Sequence, residues 1–426
     1  MKKIRRIMHY SLTPALLVAG LITTGAAQEK QAIGSLDDML SLAMQNNPAI
    51  KAAERRQAAL ASVSEQVSTL PDPMLGFTRW TSSVETRVGP QENVFSLSQR
   101  IPFPGKLGLR GKIADQDAIA AQYTLEAVRR DVAFKVKAAF SDLYRIDKSL
   151  QTLDTYQELL RDFSTVAATK YATGQGIQAM ILKADVEISS IIARKLQFQK
   201  LRTGVVARLN ALMNRPSEAG IQKADTIRTT PLNIDEQRIL QKAWQARQEL
   251  LARKAMISKA DYAFKLAKKN YMPDFNVQAT YITIPKVNDL FADSGKDPLG
   301  FMVGMNIPIW LGKRRAAVTQ AEETRASQSL LYENLRNSVE AEITDILFQI
   351  QTIEETLRLY EQGLLIQAES SLESATSAYK TGKLDFLNLL DAERMLLQLR
   401  LAYIKEQASH FKQVAALERA AGGSLE

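Results

Sequence analysis

Tyr171-Ala172-Thr173-Gly174 recurs as Tyr379-Lys380-Thr381-Gly382, and eight residues after each glycine stands Leu-x-Ala followed by an acid: Leu182-Lys183-Ala184-Asp185, then Leu390-Asp391-Ala392-Glu393. Working outward, Ile101-Pro102-Phe103-Pro104-Gly105-Lys106 returns as Ile307-Pro308-Ile309-Trp310-Leu311-Gly312-Lys313, with one residue inserted. Pro71-Asp72 returns as Pro273-Asp274, and Ala43-Met44-Gln45 as Ala243-Trp244-Gln245. The order is the same in both halves, and the offset drifts only from 200 to 208. A repeat this long is one structural unit duplicated, not a solenoid of short repeats. The first unit is placed at 28–230 and the second at 231–426, with pseudo-twofold internal symmetry expected between them.

Between Gly111 and Gly174 the chain has neither Gly nor Pro, and Val128, Val132, Val136, Phe140, Leu143, Ile146, Leu150 and Leu153 follow one another at steps of three and four. That spacing predicts one continuous amphipathic helix. The second half repeats it from Arg314 to Thr381, interrupted only by Gly363. A returning helix is expected after each, Ile177 to Arg215 and Lys383 to Ala421. Each half opens on a further helix, Leu36 to Leu70, with a possible kink at Pro48, and Ile234 to Tyr271. Helices this long exceed the average globular helix of about a dozen residues several-fold, so the narrow apolar stripe implies coiled-coil packing. The Tyr-x-x-Gly turns become tips where two long helices meet, with Gly supplying the φ > 0 position. A plain helical hairpin satisfies the same pattern.

Four segments differ in texture: 75–82 and 93–101, then 275–283 and 300–309. Phe95-Ser96-Leu97-Ser98 alternates large apolar with small polar residues, which reads as a strand with unlike faces. About nine to eleven tilted residues suffice to cross a bilayer, and Pro71, Pro73, Pro102, Pro104, Pro273 and Pro308 lie at or near the strand boundaries, where a missing N–H does least harm. Strands in lipid must close into a barrel. Four cannot, since the smallest such barrels have about eight. Either several copies share one barrel, three giving twelve strands, or the sheet is soluble and sits on a periplasmic coiled-coil scaffold.

The bulk properties narrow the function. Lys2, Lys3, Arg5 and Arg6, the apolar run Leu12 to Ile22 and Gly25-Ala26-Ala27 form an export signal over 1–27; the run is shorter than the about 20 residues of a membrane helix. Removing its four basic residues takes the formal charge from +9 to +5. No basic cluster is interleaved with aromatics, so no nucleic-acid partner is implied. With 0 Cys, disulfides, thiolate metal sites, a cysteine nucleophile and a lipid-modified N-terminal Cys are excluded. Only His9 and His410 exist, and His9 leaves with the signal. No metal site, cofactor or catalytic residue is expected, and the chain reads as a non-enzyme. Met302 and Met305 lie near each other in a strand, but Met more often fills space than binds metal.

At this point the chain resembles the TolC family of outer-membrane efflux proteins. The resemblance rests on the duplication, on Pro71-Asp72-Pro73, on Gln99 to Lys106, on Tyr171-x-x-Gly174, on Leu209-Asn210-Ala211-Leu212-Met213-Asn214-Arg215-Pro216 and on Tyr379-x-x-Gly382. It implies a mainly α fold with a small β part, in which a homotrimer builds a twelve-stranded outer-membrane β-barrel continued by a periplasmic α-helical barrel. It also implies docking with a periplasmic adaptor protein and an inner-membrane pump of the resistance-nodulation-division type. The Pro-Asp-Pro and Pro-Phe-Pro-Gly-Lys elements look most like the heavy-metal branch, cobalt-zinc-cadmium or copper-silver. Multidrug efflux and type I protein secretion share the architecture and remain open. By the same resemblance Tyr171, Gly174, Tyr379 and Gly382 form adaptor-docking tips. Asn388 and Asp391, three residues apart and so on one helix face, form the entrance constriction. Asn388 departs from the family's acidic pattern, and Leu384 stands where the family has a basic latch. Asp385 is expected to cap the returning helix through its carboxylate.

Overall fold

A computed structural model describes residues 33–227, 232, 235–287 and 292–425. The export signal at 1–27, the unit boundary at 230/231 and the helix start at Ile234 lie outside these residues. The described chain is a set of long antiparallel helices carrying one four-stranded sheet. The first half runs α1 (Leu36–Asn46), α2 (Pro48–Ala61), α3 (Val63–Ser68), β1 (Met74–Thr86), β2 (Gly89–Ile101), α4 (Lys106–Ala172) and α5 (Gln178–Leu212). The second half runs α6 (Glu236–Ala246), α7 (Gln248–Lys269), β3 (Phe275–Thr283), β4 (Leu299–Met305), α8 (Leu311–Leu359), a π-helical turn (Tyr360–Leu364), α9 (Leu365–Lys380) and α10 (Phe386–Ala420). Helix α4 has 67 residues and so spans about 100 Å.

The opening helices break at matched positions for different reasons. In the first half Asn47 turns extended (φ −61°, ψ 123°), its side chain accepts from Ala49 N, and Pro48 occupies the first helical position, where its missing N–H costs nothing. In the second half Gln248 stands in place of a proline, yet Arg247 adopts the same geometry (φ −69°, ψ 119°). Arg247 is buried, and its guanidinium is held by Glu342 Oε2 at 2.8 Å and Ala420 O at 3.4 Å. Sequence alone placed a kink only at Pro48; tertiary contacts make the second one.

The interruption at Gly363 is a π-helical turn, not a helix end. Its origin is arithmetic. The repeat offset is 207 at Lys106 and Lys313 but 208 at Gly174 and Gly382. One extra residue therefore lies within the second long helix, and a π turn absorbs one residue without breaking the rod. Side chains hold it there: Tyr403 Oη donates to Glu361 Oε1 at 2.7 Å, Gln407 Nε2 donates to Tyr403 Oη at 2.9 Å, and Tyr144 Oη donates to Gln407 Oε1 at 3.0 Å.

The sheet is antiparallel in the order β1-β2-β3-β4. Strand β3 falls where the sequence placed it. Strand β1 runs past residue 82 to a two-residue turn at Arg87-Val88, with a register shift between Arg79 and Val84. Strand β4 stops at Met305 rather than 309: Asn306 N still donates to Asp274 O at 3.1 Å, but Pro308 has no N–H to continue the ladder. His410, the one histidine among the described residues, is packed inside the bundle with Nε2 3.0 Å from Glu354 Oε1.

Candidate channel: barrel face, joint and helical tips

The pairing register decides what the sheet can face. Leu75, Leu97, Ala279 and Phe301 stand in one row across the four strands, and Phe77, Phe95, Tyr281 and Leu299 in the next. Val277, Val303 and Met305 share that face. The alternate residues Gly76, Thr78, Ser96, Ser98, Asn276, Gln278, Thr280, Gly300 and Gly304, together with Val94, Ile282 and Met302, form the other face. The apolar face is bare: Leu75 is 78% exposed, Phe301 78% and Val303 74%. A bare apolar face opposite one that is mainly small and polar is the pattern of a sheet with lipid outside and a lumen inside. Met302 and Met305 belong to opposite faces, so they do not form a pair.

Below the sheet, a buried ion pair joins strands to helices. Lys106 Nζ donates to Met272 O at 2.7 Å and to Asp274 Oδ1 at 2.8 Å. Asp274 also accepts from Phe103 N and from Arg100 Nη2, each at 3.0 Å. Burial on its own pushes the Asp274 carboxyl up, but the bonds from Lys106, Phe103 N and Arg100 outweigh it and hold the pKa at about 2. The sequence signalled this joint only as the repeated Pro-Asp and Gly-Lys; which Asp meets which Lys was not legible.

At the far end the two Tyr-x-x-Gly segments form the hairpin tips. Gly174 (φ +77°) and Gly382 (φ +78°) both take the left-handed conformation, and a Cβ at either would touch nothing within 4 Å. Gln175 N donates to Lys170 O and Lys383 N to Ala378 O, both at 2.8 Å, closing the helix ends. The two tyrosines part company. Tyr171 is exposed, whereas Tyr379 is buried against Phe386, with ring centroids 5.3 Å apart, and lies under the Lys170 ammonium at 4.2 Å. Tyr379 thus builds the tip from inside, and Tyr171, Gly174 and Gly382 form its surface. Asp385 occupies the N-cap position with extended backbone (φ −76°, ψ 149°), but its carboxylate makes no capping hydrogen bond, contrary to the sequence expectation.

Asn388 and Asp391 are both exposed on α10. The opposite side of this turn, Phe386, Leu389 and Leu390, is buried in the cluster that includes Tyr156 of α4 and Tyr379 of α9. The structure adds a group that sequence reasoning passed over. Glu393, one turn on, is 1% exposed and its Oε1 has no hydrogen-bond partner among the described residues. Arg394 beside it is paired with Glu187 of α5. Burial, with repulsion from Glu187, pushes the Glu393 carboxyl up to about 7 against the opposing pull of Arg394. The signal was present in the repeated Leu-x-Ala-acid, but Asp185, its match, is exposed.

The comparisons agree with this architecture. The family model described as "Outer membrane efflux protein" matches residues 239–423. The cobalt-zinc-cadmium resistance protein CzcC of Cupriavidus metallidurans is 21% identical over 391 residues, 91% of this chain and 90% of that protein. The outer membrane protein TolC of Vibrio cholerae is 21% identical over 422 residues, 96% of this chain and 95% of that one. Among solved structures, the outer membrane protein VceC of Vibrio cholerae has the same fold, with a TM-score of 0.76 at 21% identity over 92% of this chain and 97% of that one. The chain thus resembles the outer membrane efflux proteins: residues 239–423 match their family model, and over more than nine-tenths of its length the chain is similar to TolC of Vibrio cholerae and has the fold of VceC.

Proposed function

We propose that three copies of this chain close one twelve-stranded barrel in the outer membrane, and that the helical tube below docks on a periplasmic adaptor and an inner-membrane pump of the resistance-nodulation-division type. The observation that carries this is the sheet. It has one bare apolar face and an unpaired edge at each of β1 and β4 among the described residues, and strands in lipid must leave no edge open. The duplicated units are taken as 28–230 and 231–426. The cargo is heavy-metal cations, supported by the Pro-Asp-Pro and Pro-Phe-Pro-Gly-Lys elements and by the similarity to a protein named for cobalt, zinc and cadmium resistance. A toluene efflux pump protein of Pseudomonas putida is similar over a smaller share, 75% of this chain, so efflux of organic compounds is the second reading.

In this reading Tyr171, Gly174 and Gly382 meet the adaptor, with Tyr379 supporting them from within. Asn388 and Asp391 line the entrance, and three Asp391 carboxylates make an acidic ring that concentrates cations. Arg394, close enough to feel the Asp391 charge, tempers that field. A deletion strain and its complemented partner, grown across graded metal salts and hydrophobic drugs, test the cargo. Selective metal sensitivity is expected, and selective drug sensitivity overturns the metal assignment. In planar bilayers Asp391→Ala should lower cation preference; an unchanged preference removes Asp391 from the entrance.

A further inference from the structure

The joint between strands and helices is written twice, yet it is closed only once within the chain. In the first copy of the Ile-Pro element, Pro102 and Lys106 are buried, and Lys106 holds Asp274 of the second unit. In the second copy, Ile307 is 71% exposed and Ile309 66% exposed, and Lys313 is exposed as well. The match of Asp274 is Asp72, also exposed. Neither Asp72 nor Lys313 makes an ion pair or side-chain hydrogen bond among the described residues. Leu70 and Met74 flank Asp72 and are bare too, and so are Trp310 and Leu311 beside Lys313. One half-joint thus carries an unpaired carboxylate among apolar residues, and the other an unpaired ammonium among apolar residues.

We propose that Lys313 of one copy closes on Asp72 of the next, repeating between copies the Lys106–Asp274 joint inside each copy. This rests on the shared-barrel reading above. The strand register supports it independently. Within the chain Gln99 faces Val277 and Leu97 faces Ala279. Carrying that register over by the repeat sets Met305 opposite Leu75 of the next copy, and Val303 opposite Phe77. All four lie on the apolar face, so the lipid-facing band continues unbroken across the seam; a slip of one residue would set apolar against polar. The two joints differ in one respect. Lys106 leads α4, whereas Lys313 is the third residue of α8, because Trp310-Leu311 replaces Pro104. The flexible four-carbon stem of lysine spans such a difference.

Two experiments on the full chain in outer membranes test this. Carbodiimide treatment of the unaltered protein condenses a paired lysine and carboxylate into an amide. Mass spectrometry should find a peptide joining Lys313 to Asp72, and trimers mixed from isotopically light and heavy chains should show the link between chains. Because the chain has 0 Cys, the variant Asp72→Cys/Lys313→Cys offers only those two thiols. A short bismaleimide should convert it to dimer and trimer bands that each single variant lacks. Trimers that give neither product overturn the pairing while leaving the shared barrel intact. Membranes that hold only single copies overturn both. Should the cysteine variant fail to assemble, the carbodiimide result on the unaltered protein decides.

Discussion

Replacing Lys106 with Met tests the joint within the chain. Lys106 is 3% exposed, and its ammonium is the closest cation to the buried Asp274 carboxylate. Removing one member of a buried pair costs about 3–5 kcal/mol, because the other charge is left desolvated. Arg100 still reaches Asp274 Oδ2, but its side chain is 64% exposed and recovers no more than about 1 kcal/mol. The expected loss is therefore about 2–4 kcal/mol. The proton linkage gives a second figure. The Asp274 carboxyl is lowered from 3.8 to about 2, so it contributes about 2 kcal/mol that is fully present above the unfolded pKa. That contribution is lost as pH falls from 3.8 towards 2. In Lys106→Met burial is opposed by less, so the acid limb of the stability curve should move to higher pH. The assay is urea unfolding in detergent across acid pH, followed by far-ultraviolet circular dichroism and by tryptophan fluorescence. Lys106→Met/Asp274→Leu should cost less than the two single changes added together. A Lys106→Met protein within about 0.5 kcal/mol of wild type, or one with an unmoved acid limb, refutes the assignment of this pair as the clamp.

Three further outcomes are expected. Glu393 holds its proton up to about 7 in the folded chain against 4.5 as the reference, so its contribution to stability is full below the lower value and lost as pH rises through the higher. Glu393→Gln should match wild type in acid and exceed it by up to about 3 kcal/mol in mild alkali; equal stability at both pH values places Glu393 in water. Deleting Gly363 should turn the π turn into ordinary helix and leave the Tyr379 tip in place, whereas deleting Leu347 should rotate everything beyond it by about 100° and abolish heat-resistant trimers. If the two deletions behave alike, the inserted residue is not what the π turn absorbs. Gly174→Val and Gly382→Val force a β-branched residue to positive φ at about 1–2 kcal/mol each, so trimers should persist while resistance is lost; intact resistance makes the tips structural turns only.

Much of the architecture was legible because it is local. A stretch of helix formers without Gly or Pro specifies α4, alternation specifies the strands, and Gly174 and Gly382 mark the two turns that need positive φ. The Asn47-Pro48 break could be read for the same reason. The duplication was also visible in the residues, and so was an interruption at Gly363; that a π turn there absorbs the one-residue change of offset came from the structure.

What sequence could not decide is what becomes of each member of a duplicated pair. Tyr171 is exposed and Tyr379 buried; Asp72 is bare and Asp274 clamped; Asp185 is solvated and Glu393 enclosed. Both members of each pair sit in like local sequence, so no propensity or spacing separates them. The difference arises because one chain makes each contact between its units only once: β2 pairs with β3, Lys106 of α4 meets Asp274, and α10 packs on α4, whereas β1 and β4 keep open edges. Burial, ion pairing and the shifted carboxyl groups follow from that non-local asymmetry. The kink at Arg247 has the same origin, since Glu342 and Ala420 hold it from elements about a hundred or more residues away. The sequence by itself determined the repeated elements, and the tertiary structure decided which copy of each is closed.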